Sequence, residues 1–188
     1  MVFHNLAGYD SHLLIKDLAT HCKGKVGLIP QTKEKYISFT KVFQNGSRPP
    51  TKDDVFVKFK FIDSFKFMNS SLDKLSSYLK DYPILRSQFP GLSDELFTLL
   101  CRKGVFPYSY MDCKEKLKET ELPSIDKFEN LLCGGKSISS EEYAHAKHVW
   151  ESFQIKDLGE YTDLYLKTDV MLLAEVNYLY ILHIYIFI

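Results

Sequence analysis

At 188 residues, with 45% hydrophobic and 26% charged content, the chain is long enough for one ordinary domain around a single core. Its 24 basic and 24 acidic residues cancel, so no overall positive field announces a nucleic-acid partner and any such grip must be local. Only Arg48, Arg86 and Arg102 are arginines, which weighs against a surface of bidentate phosphate forks, and Cys22, Cys101, Cys113 and Cys133 show neither a CxxC pair nor a zinc spacing with histidine.

Reduced thiols, and no charged segment leading into an apolar run after Met1, describe a nuclear or cytoplasmic protein that is not secreted. Val2 and Phe3 read as the end of a strand, with the strand's neighbours expected upstream of Met1. Asn5 to Tyr9 then form a turn, and residues 10–20 a helix with Leu13, Leu14 and Leu18 on one face. Residues 25–30 and 36–43 are β-rich and suggest a hairpin, followed by a loop of turn formers at 44–50. The clearest strand is VFVKFKF at 55–61, whose alternation sets Val55, Val57, Phe59 and Phe61 against Phe56, Lys58 and Lys60.

Beyond Asp63 and Ser64 the period turns helical, with Leu72, Leu75 and Leu79 on one face and Pro83 as the stop. Short helices at 92–101 and 124–132 make the middle third an irregular, mainly helical insertion. Ser139 followed by Glu142 is a capping-box pattern that opens a helix to about Phe153, and Gly159 closes the next connection. A last helix from near Glu160 carries Tyr161, Leu164, Tyr165, Leu172, Leu173 and Val176 at helical spacing. The apolar run YLYILHIYIFI at 178–188 falls short of the roughly 20 residues of a bilayer span and is interrupted by His183, so no membrane is expected as a partner.

Two constellations could carry chemistry. In HNLAGYDSHLLIK at 4–16, an asparagine in a turn precedes an aromatic residue and an aspartate at the mouth of a helix; taken alone, Asn5 shapes a turn and Asp10 caps the helix. In YLKTD at 165–169, Tyr165 and Asp169 share one helix face. A carboxylate among Leu166 and Val170 to Leu173 costs free energy unless it is paired or coordinated, and a metal would compensate it; the alternative is an exposed aspartate on the polar edge.

In this order the two phrases resemble the second and third exonuclease motifs of family-B DNA polymerases of the organellar and viral type. With FIDSFKFMNSSLDKL at 61–75, KGVFPYSYMD at 103–112 and LGEYTDLYLKTDVMLLAEV at 158–176, the chain resembles the protein-primed polymerases of Maverick or Polinton elements. The resemblance implies an α/β fold of the ribonuclease-H-like, DnaQ-type 3′-to-5′ exonuclease class, incomplete at its N-terminal strands, with residues 1–176 as part of the exonuclease domain and 177–188 as a tail off the family pattern. It implies Asp10 and Asp169 as ligands of Mg²⁺ or Mn²⁺ in a two-metal site, or as supports just outside the ligands, with Tyr165 orienting the attacking water and Lys103 neutralising phosphate charge; alone, Lys103 is a solvated lysine after a helix. By the same likeness Asn5 holds DNA or a metal-bound water, Tyr9 holds DNA, and Ser64 and Phe65, or in a rival placement Ser71 and Leu72, contact the single-stranded 3′ end and the terminal protein primer. Phe65 stands where the family carries leucine.

No Asp-x-Glu pair precedes Asn5 within these residues, so the first exonuclease motif is not among them, and the fragment is expected neither to polymerise nor to hydrolyse efficiently. The alternative is a non-catalytic module, derived from such a polymerase, that binds single-stranded DNA or a terminal protein.

Overall fold

Strand periodicity is strongest where the first unit of the protein has its centre. The computed structural model describes residues 1–6, 10–30, 32, 36–43, 57–129, 135 and 137–187, with side chains left undescribed at 10, 12, 36, 37 and 182–187. Two units, Met1–Ser71 and Leu72–Ile188, each have their own internal packing.

The first unit is a four-stranded mixed sheet of β1 (Val2–Phe3), β2 (Gly24–Pro30), β3 (Tyr36–Phe43) and β4 (Val57–Asp63), in the order β1-β4-β3-β2. β2, β3 and β4 form an antiparallel meander, whereas β1 lies parallel to β4. Cross-strand partners share a face, so Phe39 meets Phe61 and their rings stack 4.3 Å apart. That face is covered by α1 (Asp10–His21), whose Leu14, Ile15 and Leu18 pack with Leu6, Phe39 and Phe61. Leu13, expected beside Leu14 and Leu18, is exposed instead. At about 100° per residue the buried stripe runs through Ser11, Leu14, Ile15 and Leu18, and Leu13 falls off it. On β4 the expected alternation of Val57, Phe59 and Phe61 is present, but burial reaches only Phe61 and Asp63. The expected loop at 44–50, and Val55 and Phe56, lie outside the described residues.

Lys41 shares that covered face and is fully buried. Its ammonium donates to the carbonyls of Leu18 at 2.8 Å, Cys22 at 2.6 Å and Gly24 at 3.1 Å. Two of these acceptors lie at or just beyond the last turn of α1, where carbonyls lack intrahelical partners and the helix dipole is negative. One side chain therefore ties the end of α1 to the start of β2. Lys41→Met is expected to destabilise this unit by about 3 kcal/mol, as charged hydrogen bonds of this kind imply. Urea unfolding measures it, and a loss below about 1 kcal/mol would deny the tie its weight.

A single helix after Ser64 does not form. α2 (Phe65–Met68) ends at Asn69, which is left-handed at φ 34°, and α3 (Leu72–Ser76) starts afresh and stops before Leu79. In the second unit Pro83 begins a helix rather than ending one: in α4 (Pro83–Gln88) it occupies the first turn, where a missing N–H costs nothing. The N-terminus of α4 is capped from a distance by buried Glu175, which accepts from the Leu85 amide at 2.8 Å. α5 (Asp94–Leu100) follows behind the Ser93 cap, then 3₁₀ turns at Lys114–Lys118 and Ile125–Phe128.

The expected capping box opens α6 (Ser140–Ser152), with both arms between Ser139 and Glu142 in place. Bonds from the Ser139 amide and hydroxyl hold the Glu142 carboxyl below its usual value. α7 (Leu158–Phe187) begins two residues earlier than expected, so Gly159 lies inside its first turn. A Cβ there would come 3.2 Å from the Leu117 carbonyl oxygen and 3.0 Å from Asp157 Oδ1, the oxygen that accepts from the Glu160 amide. Leu172 joins Leu85, Phe97 and Leu100 in one cluster, and Leu158 and Tyr161 join Ala146, Val149 and Ile155 in another. No described helix is long and apolar enough to cross a membrane.

Candidate active site

The α7 spacing aligns Tyr161, Tyr165 and Asp169, four residues apart, along one face. Against them runs the segment from Lys103 to Tyr108, which lies outside helix and strand. Tyr161 donates its hydroxyl to the Val105 carbonyl at 2.7 Å, and the Phe106 ring stacks on Tyr165 with centroids 4.9 Å apart. Gly104 permits this closeness, since a Cβ there would already touch the Tyr165 ring at 3.4 Å. The Tyr108 and Tyr165 hydroxyls lie 2.6 Å apart, and Lys103 Nζ is 3.6 Å from Asp169 Oδ1.

Tyr161 and Tyr165 are both shifted upward. Burial is the first cause for each; at Tyr165 the negative charge of Asp169 and the neighbouring Tyr108 add to it. Tyr165 is therefore a protonated phenol throughout the neutral range, a donor and not a base. Its rotor is constrained by Tyr108 and its ring by Phe106. Asp169 Oδ1 is buried with no hydrogen-bond partner, and the Lys103 ammonium beside it is farther than a charge-assisted hydrogen bond reaches. An anionic oxygen in that condition fits a cation, and a carboxylate suits a hard divalent ion. Among the described residues no three His, Cys, Asp or Glu side chains group as a metal cage.

A second polar cluster forms in the first unit, at the carboxyl ends of the parallel strands β1 and β4. Buried Asp63 accepts from the Asn5 amide at 2.8 Å and the Phe65 amide at 3.1 Å. That pins Asn5 in its left-handed conformation, φ 66°. Ser64 is buried, its hydroxyl donating to the Phe3 carbonyl at 2.8 Å and lying 2.9 Å from His4 Nδ1. The His4 ring meets Phe65 edge-on at 5.4 Å, and its Nε2 is 2.7 Å from the Ser70 carbonyl. Ser64 thus shapes the turn and turns its hydroxyl inward, whereas Phe65 is partly exposed and Ser71, of the rival placement, is exposed; Leu72 is buried.

Of the residues singled out by sequence, Lys103 and Asp169 come together with Tyr165 one helical turn away, and Asn5 joins Ser64 and Phe65 through Asp63 and His4. Asp10 begins α1, with its side chain outside the described part; Tyr9 lies outside the described residues altogether. Tyr108, Phe106, Asp63 and His4 were not foreseen. Asp63 was within reach of the alternation, because it continues the parity of Phe59 and Phe61. Nothing in the spacing announces Tyr108.

Over residues 1–188 the chain matches the family described as DNA polymerase type B, organellar and viral. It belongs to that family. Membership sets this polymerase chain in DNA replication, with DNA as the partner the family implies. Neither the curated proteins nor the solved structures yield a significant match.

The raised phenols give the polymerase chain a pH signature. Their protonated forms favour the folded state, so that contribution is complete below the ordinary tyrosine value of 10.0 and is lost as pH rises above it. Tyr165→Phe removes one such proton, and the decline of unfolding free energy above about pH 10 should become shallower by roughly 1.4 kcal/mol per pH unit. Urea titrations on either side of that pH measure the slope; an unchanged slope would exclude a shifted Tyr165.

Proposed function

We propose that these residues form the 3′-to-5′ proofreading exonuclease domain, or part of it, of a protein-primed type B polymerase of the Maverick or Polinton kind, on a ribonuclease-H-like fold. The observation that carries this reading is the meeting of Lys103 with the Asp169 oxygen that lacks a hydrogen bond, one helical turn from the restrained hydroxyl of Tyr165. The parallel pairing of β1 with β4 supports the fold assignment, because the turns holding Asn5 and Ser64 follow the carboxyl ends of those strands, where open α/β sheets present ligands.

In this reading the Asp169 carboxylate would hold Mg²⁺ or Mn²⁺, which when bound would supply Lewis acidity toward the scissile phosphodiester. Tyr165, kept protonated, donates a hydrogen bond that orients the attacking water while it accepts from Tyr108. Lys103 neutralises charge on the phosphate. Asn5 and Tyr9 steady the frayed 3′ strand, and Phe65 packs against it, with exposed Ser71 as the rival contact. The terminal protein primer shares the Phe65 region. Because no Asp-x-Glu pair lies among these residues before Asn5, the 188-residue chain by itself binds divalent ions weakly and hydrolyses DNA slowly.

Manganese binding followed by electron paramagnetic resonance tests the assignment. The chain should show weak Mn²⁺ binding that Asp169→Asn abolishes and Lys103→Gln strengthens, since the lysine competes for the same oxygen. Binding indifferent to both substitutions would overturn the metal-site reading. The exposed Phe67 beside Phe65 favours a second reading, a module that grips single-stranded DNA without catalysis; single-strand binding independent of metal and of Asp169, joined to the absence of Mn²⁺ binding, would select it.

A further inference from the structure

The neutrality of the whole chain hides a division of charge between its two units. Residues 1–71 hold eleven of the 24 Lys and Arg but six of the 24 Asp and Glu, a net charge of +5 that leaves −5 on residues 72–188. Within the first unit the sheet has one face under α1 and another that α1 does not cover. Register defines the second face: Lys25 lies opposite Val42, Val42 opposite Lys58, and Lys60 opposite Thr40. Lys25, Lys58 and Lys60 are all exposed, and no carboxylate shares this face among the described strand residues.

Lys58 and Lys60, two residues apart on β4, are separated by about 7 Å along the strand, and Lys25 lies two strands away, about 10 Å across. Duplex DNA carries about one negative charge per 1.7 Å of axis, so a patch of this size spans several phosphates. Single-strand platforms combine basic residues with aromatic rings that stack on bases. The described residues of this face include none, since Phe39, Phe59 and Phe61 project from the opposite side; Phe56, which the alternation assigns to the lysine side, lies outside the described residues. Val42 and Thr40 between the lysines offer no stacking surface, and Ser38, opposite Ile29 and Ile62 beyond them, is buried.

We propose that this lysine-bearing face of the β2–β3–β4 meander is a docking surface for the sugar-phosphate backbone of duplex DNA. It needs no metal and does not depend on the exonuclease reading, only on the chain's place among DNA polymerases. The contacts are ammonium to phosphate, without base readout, so the surface is indifferent to sequence and its hold is set by counterion release.

The test is fluorescence anisotropy of a labelled blunt duplex with the 188-residue chain across a KCl series, in EDTA. Comparison is made with the triple variant Lys25→Gln, Lys58→Gln, Lys60→Gln and with a charge-matched control, Lys114→Gln, Lys118→Gln, Lys156→Gln, whose lysines are exposed in the second unit. At about 0.9 per phosphate contact, the triple variant should flatten the slope of log affinity against log salt by roughly 2.7. Raising KCl from about 50 to 200 mM then weakens the unaltered chain about 40-fold more than the variant. The control should keep the original slope. A slope equal in all three proteins, an effect confined to a single strand of the same sequence, or no duplex binding by the unaltered chain at low salt would each overturn the proposal. Circular dichroism confirms that the exposed substitutions leave the fold intact.

Discussion

One face of α7 is the constraint on which the second unit depends. Tyr161, Tyr165, Leu172 and Val176 are buried along it, and Asp169 is carried on the same helical repeat. Core and site are therefore one stripe: the packing that seats Tyr161 against Val105 and Phe106 also sets Lys103 beside Asp169. A shift of the helix by one residue would rotate the stripe by about 100° and remove both at once. Such coupling explains why a segment outside helix and strand can hold a lysine in position. Its anchors are a tyrosine hydroxyl below and a stacked ring above.

Buried polar groups in this protein act as joints. Lys41 closes the end of α1 on the start of β2, Asp63 gathers two amides from the turns after β1 and β4, and Glu175 on α7 caps α4. Each joins segments that secondary structure alone leaves unconnected. Desolvating a charge is costly, and these three are kept where backbone donors or acceptors repay that cost. Asp169 differs from them. It has a nearby ammonium and an oxygen without a hydrogen bond.

The division of charge adds a second level of organisation. A balanced total reads as the absence of a nucleic-acid signature, yet a neutral chain of two oppositely charged units has a local field at each. The lysines of the meander lie in the positive unit, on the strand face that the apolar alternation leaves over.

What the sequence determined by itself follows from local periodicity and capping. The alternation at 57–61, the apolar spacing from Tyr161 to Val176 and the Ser139 to Glu142 box each specify an element through neighbours a few residues away, and each element formed. So did the ordered phrases by which the family is recognised. Tertiary structure decided the rest, because the interactions involved join distant positions that no window contains. It put Leu13 in solvent, broke the helix after Ser64 at Asn69, and used Pro83 as a start because Glu175 waits on α7 to cap it. It turned Ser64 inward, brought Tyr108 to Tyr165, and set Lys103 at Asp169; spacing carries no trace of these pairings, since packing across the chain creates them.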